Sequence, residues 1–272
     1  MQIVYLSHPI EQAFTNEQVM AIGFFDGIHL GHQELLHHAK QVAEEKKILF
    51  TAMTFSPHPD EIIKGDKNRK YLTPLPQKIK KMAEYGVEKL YVVTFDKRFA
   101  SLPPIEFINH YIIGTHSKHV VVGFDFTFGF KARGDTQFLR DKSQSCGYEL
   151  SVIDKKTYMG EKISSTLLRE LLMEGKVASI PHYLGENYCV NANVTRENGD
   201  FVTVAASERY LLPSHGEYYV NIIVGESVYN GVFYRNKLTE NECLVNDSGI
   251  KQGTELTIEF LEKVHVESMV SS

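Results

Sequence analysis

Residues 19–32 read VMAIGFFDGIHLGH, and this stretch decides how the first part of the chain folds. Its apolar start predicts a buried strand, and Gly23, Gly27 and Gly31 permit a tight turn and a close approach of the backbone to a ligand. A helix is predicted to begin near Gly31, because apolar residues recur at helical spacing over residues 32–46. A strand, a glycine-bearing turn and a helix in this order are typical of a phosphate-binding site.

Two histidines, His29 and His32, stand where this helix is predicted to begin. Their separation of three residues predicts that they share one face, where the helix N-terminus adds unpaired N–H groups and a partial positive charge. Imidazole donors there can stabilise the charge that develops on a polyphosphate. The alternative is a plain turn followed by two solvent-facing histidines, and the full pattern GxFDGxHxGH favours the phosphate site. We expect both imidazoles at the surface of a cleft.

Short apolar runs alternate with helical patterns up to about residue 180. This alternation predicts an α/β domain with a parallel sheet and helices on both faces. Ligands of such sheets bind beyond the carboxyl ends of the strands. The predicted strands cover residues 19–23, 48–55, 90–95, 119–123 and 150–153, and the predicted helices cover residues 32–46, 77–85, 105–111 and 136–146.

Beyond about residue 184 the apolar runs become β-branched and aromatic, and turn signals separate them. This texture predicts a small antiparallel β-barrel or sandwich. We therefore assign residues 1–183 and 184–272 to two domains. The predicted strands of the second domain cover residues 188–195, 201–205, 218–224, 227–234 and 255–260.

The composition narrows the class of protein. A net charge of −5 argues against a dedicated nucleic-acid binder, and no apolar run reaches the roughly 18 residues of a membrane span. Cys146, Cys189 and Cys243 are widely spaced and form no CxxC pair, so neither a disulfide framework nor a zinc site is indicated. The first ten residues carry no signal-peptide pattern, and we expect a cytoplasmic protein.

Two aromatic-containing loops follow predicted strands. Residues 54–59 read TFSPHP, and the two prolines stiffen the loop so that His58 is presented at a fixed angle. Residues 122–129 read VGFDFTFG, where flat side chains can stack on a planar ligand ring and Asp125 can accept N–H donors of that ring. An aromatic turn packed into the core is the alternative. The candidate ligand-stacking aromatics of this loop are Phe126 and Phe128.

Residues 162–169 read KISSTLLR and predict a second helix N-terminus. Ser164 or Ser165 is a suitable N-cap for a helix over residues 166–174. Hydroxyl groups, free N–H groups and Arg169 would then face phosphates together. A capped amphipathic helix without a ligand is the alternative.

These four motifs resemble those of the prokaryotic riboflavin kinase/FAD synthetase family, within the HxGH nucleotidyltransferase superfamily. The matching family motifs are HxGH, TFxPHP, VGxDFxFG and ISSTxIR, with Leu168 in place of the usual Ile in the last one. The resemblance covers about residues 18–180. It implies a Rossmann-like nucleotidyltransferase domain followed by a riboflavin-kinase-like β-barrel.

The resemblance implies that a phosphate oxygen of FMN attacks the α-phosphorus of ATP, giving FAD and pyrophosphate. Mg²⁺ is expected to arrive with ATP, so no dedicated metal site is expected, and flavoenzymes are the expected recipients of FAD. Asp26 is alternatively a turn residue. The implied catalytic residues are His29, His32, Ser165, Thr166 and Arg169. The implied nucleotide-binding and flavin-binding residues are Gly23, Phe24, Phe25, Asp26, Gly27, Gly31, His58, Asp125, Phe126 and Phe128.

The second domain departs from the family's kinase pattern. Family members carry a glycine-rich stretch and a PTAN motif that hold Mg-ATP, whereas residues 190–210 read VNANVTRENGDFVTVAASERY and contain neither. The connection from Tyr234 to Glu242 is short, and Glu242 only weakly matches the kinase base. We expect an FAD synthetase with a degenerate barrel and no riboflavin kinase activity. The alternatives are a bifunctional kinase/synthetase and an inactive, flavin-responsive binding or regulatory protein.

Overall fold

The computed structural model describes residues 1–199, 201–235, 241–245 and 249–264. They form two compact units, the first of residues 1–69 and 73–163, and the second of residues 70–72 and those after residue 163. The domain boundary between residues 183 and 184 stays a prediction. None of the helices in the described ranges has the length and apolar character to span a membrane.

The first unit alternates strands and helices, as predicted. Its six main strands are β1 Gln2–Leu6, β2 Gln18–Ile22, β3 Leu49–Ser56, β4 Lys89–Thr94, β5 Ser117–Gly123 and β6 Glu149–Ile153, and a short hairpin is formed by β7 Thr157–Tyr158 and β8 Glu161–Lys162. Its α-helices are α1 Leu30–Lys46, α2 Pro59–Ile63, α3 Leu75–Glu84, α4 Lys97–Ala100, α5 Pro104–Phe107 and α6 Thr136–Cys146.

The six main strands form a parallel sheet in the order β1-β4-β3-β2-β5-β6. All five residues of β2 are buried, because β2 lies between β3 and β5 and is covered on both faces. The chain leaves β2 towards β3 on one side and returns on the other side at β5. This makes the carboxyl ends of β2 and β5 the topological switch point, where sheets of this kind bind ligands.

Helices cover both faces of the sheet. Val19 and Ala21 of β2 belong to a core cluster with Leu36 and Ala39 of α1. Met20 and Ile22 alternate to the opposite face and belong to a second cluster, which contains Phe99, Phe107 and Tyr111. The predicted parallel sheet with helices on both faces is confirmed.

Two local predictions in the first unit were incomplete. β1 was not predicted, because its alternation is only five residues long, with Val4 and Leu6 inward and Tyr5 exposed. The predicted helix over residues 105–111 is split into α5 and a π-helical stretch, Ile108–Ile113, whose wider turns bury Ile108, Tyr111 and Ile112.

The strands of the second unit are β9 Tyr188–Asn198, β10 Phe201–Ala206, β11 Gly216–Val224, β12 Ser227–Arg235, β13 Asn241–Val245 and β14 Glu255–Lys263. Among the described residues they close into an antiparallel barrel in the order β10-β13-β12-β11-β14-β9. Tyr218, Val220 and Ile222 of β11 alternate into its interior, as a half-buried strand requires. The predicted barrel is confirmed, and β13 is a strand that was not predicted. Helices α7 Ser165–Glu174 and α8 Pro181–Leu184 precede these strands in the chain.

Candidate active site

The turn after β2 is tight, and its backbone conformation is stabilised by contacts with the core. Phe25, Gly27 and Ile28 adopt left-handed backbone conformations with φ of 57°, 86° and 47°. Only glycine tolerates such values without strain, so two of these three residues are held there by their surroundings. The side chains of Phe25 and Ile28 are wholly buried in the core and supply that support.

His29 is the N-cap of α1. Its Nδ1 accepts a hydrogen bond from the backbone N–H of His32 at 3.3 Å, and the two imidazole rings stack 3.7 Å apart at 14°. Gly31, between the two histidines in the sequence, avoids a close contact, because a Cβ there would lie 3.3 Å from the His29 ring. With the HxGH spacing, the His29 imidazole therefore lies over the first turn of the helix and stacks on the His32 imidazole.

The cap fixes the protonation state of His29. Because Nδ1 accepts a hydrogen bond, the proton of the neutral ring is on Nε2, which makes that atom a donor. Burial lowers the pKa of His29 to about 4, partly offset by the charge of Asp125. Burial and the neighbouring His29 and Lys78 charges also hold the pKa of His32 well below its usual value. Both imidazoles are neutral near pH 7.

The expectation that both histidines lie at the surface of a cleft is wrong for His29. The residue is only 8% exposed, because its ring serves as the helix cap. His32 is half-buried, and its Nδ1 is buried without a hydrogen-bond partner among the residues that the structure describes. An unpaired polar atom inside a site is costly unless a ligand or water completes it.

The remaining residues of the turn differ in what they present. Asp26 is 3% exposed, and its Oδ1 accepts a hydrogen bond from the backbone N–H of Thr73 at 3.0 Å. This is the role of a turn residue, and its contact with a nucleotide stays a prediction. Phe25 faces the core, so its predicted nucleotide contact is limited to backbone atoms. Gly23 and Phe24 are partly exposed.

His58 caps a helix as well. Its Nδ1 accepts a hydrogen bond from the backbone N–H of Asp60 at 3.0 Å at the start of α2. Its ring meets the ring of Phe24 edge-on, with centroids 4.4 Å apart. The structure therefore brings His58 next to the turn after β2, as expected for loops that follow neighbouring strands.

The loop after β5 contains both exposed and buried candidates. Asp125 is exposed and pairs with Lys162 of β8 at 2.5 Å, and both charges act on His29 across the switch point. Phe126 is partly buried and stacks on Phe128 with centroids 5.6 Å apart. Phe128 lies in the core against Phe107, so the core-packing alternative describes that side chain. The flavin contacts of all three candidates stay predictions.

Residues 164–169 of the KISSTLLR segment begin a capped helix in the second unit. Ser164 is the N-cap, and its side chain accepts a hydrogen bond from the backbone N–H of Leu167 at 3.2 Å. Ser165 is thus the first residue of α7, one position earlier than predicted, and Thr166 is exposed. Arg169 donates a hydrogen bond to the backbone oxygen of Lys70 at 2.8 Å. The phosphate-binding roles of these residues stay predictions.

One residue of this region escaped the sequence analysis. Lys78 is buried on α3, and its Nζ donates a hydrogen bond to the backbone oxygen of Phe24 at 2.5 Å. Lysines on amphipathic helices usually face solvent, and only a lysine at a position of the apolar face signals the exception.

Comparison with known proteins shows to which family of the nucleotidyltransferase superfamily the chain belongs. Residues 11–167, more than half of the chain, match the FAD synthetase family. The chain belongs to the riboflavin kinase/FAD synthetase family. As a member of this family it is a nucleotidyltransferase, and the predicted family is confirmed.

Its relatives in this family include proteins of two names. A bifunctional riboflavin kinase/FMN adenylyltransferase of Listeria monocytogenes is 37% identical over 244 residues, covering 85% of this chain and 77% of the relative. The protein of the same name from Bacillus subtilis is 36% identical over 291 aligned positions, covering 98% and 91%. An FAD synthetase of L. monocytogenes is 34% identical over 201 residues, covering 74% and 79%.

A solved structure shares the fold of this family member. The crystal structure of a macrolide-efflux protein from Streptococcus pneumoniae matches with a TM-score of 0.90 and 24% identity, covering 100% of this chain and 94% of that chain. At this identity the likeness shows the fold alone. It agrees with the α/β domain and the β-barrel described above.

Proposed function

We propose that this FAD synthetase family member transfers the AMP of ATP to FMN and releases pyrophosphate. The observation that carries the proposal is the stacked, neutral pair of His29 and His32 at the switch point of the sheet. The Nε2–H of the neutral His29 ring and the Nδ1 of His32, unpaired within the described ranges, suit the oxygens of a polyphosphate. We place the activity in residues 1–183.

The proposed reaction needs no protein nucleophile. An oxygen of the FMN phosphate forms a bond to the α-phosphorus of ATP, and the bond from that phosphorus to the bridging oxygen of the β-phosphate breaks. Pyrophosphate leaves with the electron pair of the broken bond. The chain contributes by aligning the two substrates and by stabilising the charge that moves onto pyrophosphate.

Each candidate residue receives a proposed role. Nε2–H of His29 donates to a triphosphate oxygen, and His32 completes its own hydrogen bonding on the same group. The backbone of residues 23–27 holds the nucleotide, and the loop with Asp125 and Phe126 holds the flavin. Ser165, Thr166 and Arg169 are proposed to bind phosphate groups. FAD is then available to flavoenzymes.

Magnesium is proposed to enter as Mg-ATP, the substrate itself. Among the described residues, no three His, Cys, Asp or Glu side chains converge to hold a metal ion. A triphosphate supplies its own oxygens to Mg²⁺, which retains several waters and needs few protein ligands. The family assignment supports ATP and FMN as substrates and FAD as product.

Chromatography of the reaction products tests the proposal. The purified chain is incubated with FMN and Mg-ATP, with both oxidised and reduced FMN, and the flavins are separated. FAD and an equal amount of pyrophosphate are expected. A folded protein that forms no FAD from either form of FMN would contradict the proposal.

We further propose that the chain does not phosphorylate riboflavin. The absence of the PTAN motif and of the glycine-rich loop supports this, because Mg-ATP must be held in line with the accepting hydroxyl. Residues 236–240 and the side chain of Glu242, the candidate kinase base, lie outside the described residues. A relative named simply FAD synthetase agrees with a single activity.

The bifunctional enzyme is the second candidate. Two of the three relatives described above carry that name, and the barrel strands of this chain keep their alternating apolar faces. Incubation of riboflavin with Mg-ATP separates the two candidates. We expect neither FMN nor FAD from riboflavin, and either product formed by protein free of contaminating kinase would establish the bifunctional enzyme.

A further inference from the structure

Lys78 is a charged side chain in a place where an apolar one would cost less. It is 2% exposed, and its Nζ donates hydrogen bonds to the backbone oxygen of Phe24 at 2.5 Å and to Oγ1 of Thr54 at 3.3 Å. The same atom lies 4.0 Å from the centroid of the Phe24 ring. Removing an ammonium group from water is expensive even when its donors are used. A role beyond packing therefore needs to explain it.

The hydrogen bonds of Lys78 converge on the start of the turn that carries the histidines. The Phe24 oxygen also accepts a hydrogen bond from Oγ1 of Thr54 at 2.9 Å, so two donors fix one carbonyl. The next residue, Phe25, is left-handed, and Asp26 is held by the backbone N–H of Thr73. The segment from Thr73 to Lys78 thus holds the turn at two points.

The charge of Lys78 also faces the site. Burial lowers the pKa of Lys78 to about 8, and the carboxylate of Asp26 opposes this shift, so the group is mostly charged near pH 7. Burial, the charge of His29 and then that of Lys78 lower the pKa of His32. A cation at this place adds to the burial that lowers the pKa of His32 and favours its neutral imidazole.

We propose that Lys78 is a positioning residue for adenylyl transfer, whose ammonium group fixes the Phe24 carbonyl and thereby the turn that presents His29 and His32. This inference rests on the proposed function. It assigns Lys78 no contact with either substrate. Its effect belongs to the reaction step, because a turn displaced by about 1 Å can lower turnover about 100-fold.

The first test compares Lys78→Met with Lys80→Met, which changes an exposed lysine of the same helix. Met is close in length and removes the charge and the donors. We expect kcat of Lys78→Met to fall about 100-fold, with a smaller change in KM for ATP. Lys80→Met should have the kcat and KM of the unmodified chain. A kcat within threefold of the unmodified chain would overturn the proposal. Failure of Lys78→Met to fold would also overturn it, because the lysine would then be structural.

The second test supplies the missing group from solution. Lys78→Ala removes the equivalent of propylamine, so added propylammonium is expected to restore at least tenfold in turnover. Propan-1-ol of similar size is expected to restore nothing, because it lacks the charge. Equal effects of the two additives, or no effect of propylammonium, would overturn the proposal.

A third measurement is independent of catalysis. The imidazole signals of His29 and His32 are followed by NMR against pH in the unmodified chain and in Lys78→Met. We expect His32 to titrate at higher pH in the variant, and unchanged titration would overturn the proposal. If the unmodified chain forms no FAD, the proposed function fails, and this measurement still shows whether Lys78 acts on the surroundings of His32.

Discussion

The Nδ1 atom of His29 accepts a hydrogen bond from the backbone N–H of His32, so the first histidine of the motif caps the helix that contains the second. The cap holds the His29 ring against the His32 ring and leaves Nε2–H as the donor of the neutral His29 ring. One side chain therefore contributes to folding and, by our proposal, to catalysis. Suitable substitutions separate the two contributions.

Substitutions of His29 separate the cap from the donor. His29→Ala should lose the cap, at a cost of about 1 kcal/mol in the free energy of unfolding. His29→Asn keeps a capping oxygen and should unfold like the unmodified chain. Both should lower turnover about 100-fold, because both lack the Nε2–H donor. Urea unfolding and FAD formation measure the two effects.

The matched control is His37→Asn, on an exposed turn of the same helix. It should change neither stability nor turnover. Turnover of His29→Asn close to that of the unmodified chain would remove His29 from the catalytic residues.

Gly31→Ala should lower turnover through His29. The added Cβ would stand 3.3 Å from the His29 ring, so the ring must move by a few tenths of an ångström. We expect a loss of roughly tenfold, since active-site geometry is sensitive at this scale. Alanine favours helix formation over glycine, so stability should not fall correspondingly.

A double substitution checks this route. In the His29→Asn background, Gly31→Ala should have little further effect, because the ring that it displaces is gone. Full additivity of the two effects on turnover would show that Gly31 acts by another route.

The stability of the chain should depend on pH through His29. Its pKa is lowered by burial from 6.5 to about 4, so the unfolded chain binds the proton more readily. The free energy of unfolding therefore keeps its full value, as far as His29 is concerned, above pH 6.5. It decreases as the pH falls from 6.5 towards 4. One such group contributes a slope of up to about 1.4 kcal/mol per pH unit in this window.

Urea unfolding at several pH values measures this slope. His29→Asn should show a shallower slope between pH 6.5 and 4 than the unmodified chain. His119 and His8 also have lowered pKa values, chiefly through burial, so some slope should remain. Identical slopes in the two proteins would mean that His29 does not bear this shift.

The loop after β5 offers a test of flavin binding against core packing. Phe128 is buried against Phe107, and Phe128→Ala should cost about 3–5 kcal/mol of stability. Asp125 is exposed in a surface ion pair with Lys162, and such pairs contribute about 0–1 kcal/mol. Asp125→Ala should therefore leave stability unchanged and raise KM for FMN, while KM for ATP stays the same.

Kinetics over a range of FMN concentrations measure this effect. Thr127→Ala, at an exposed position of the same loop, is the control. An unchanged KM for FMN in Asp125→Ala would remove this residue from the flavin site.

The sheet was predictable from sequence because its strands are continuous apolar runs, which few other structures accommodate. β2 is buried on both faces, and its strand signal is correspondingly strong. β1 gave a weaker signal because it is an edge strand with one exposed face and only five residues. The strand at residues 241–245 was not predicted for a similar reason, since it is only five residues long.

The site was predictable in its residue types and less so in their environment. The motif located His29, but histidine is an uncommon N-cap, so its burial could not be anticipated. The core packing of Phe128 depends on Phe107, a partner 21 positions away in the chain. The buried position of Lys78 could not be predicted from the sequence, because its charge suggests a surface position. Only the tertiary structure shows the carbonyl group to which it donates.

Transfer of labelled phosphate tests the central claim most directly. The chain is incubated with FMN and with ATP labelled at either the α- or the γ-phosphorus, beside the His29→Asn variant. Our account predicts that the α-label enters FAD, that the γ-label leaves only in pyrophosphate, and that both transfers slow about 100-fold in the variant. Absence of α-label from FAD with the folded, unmodified chain would contradict it.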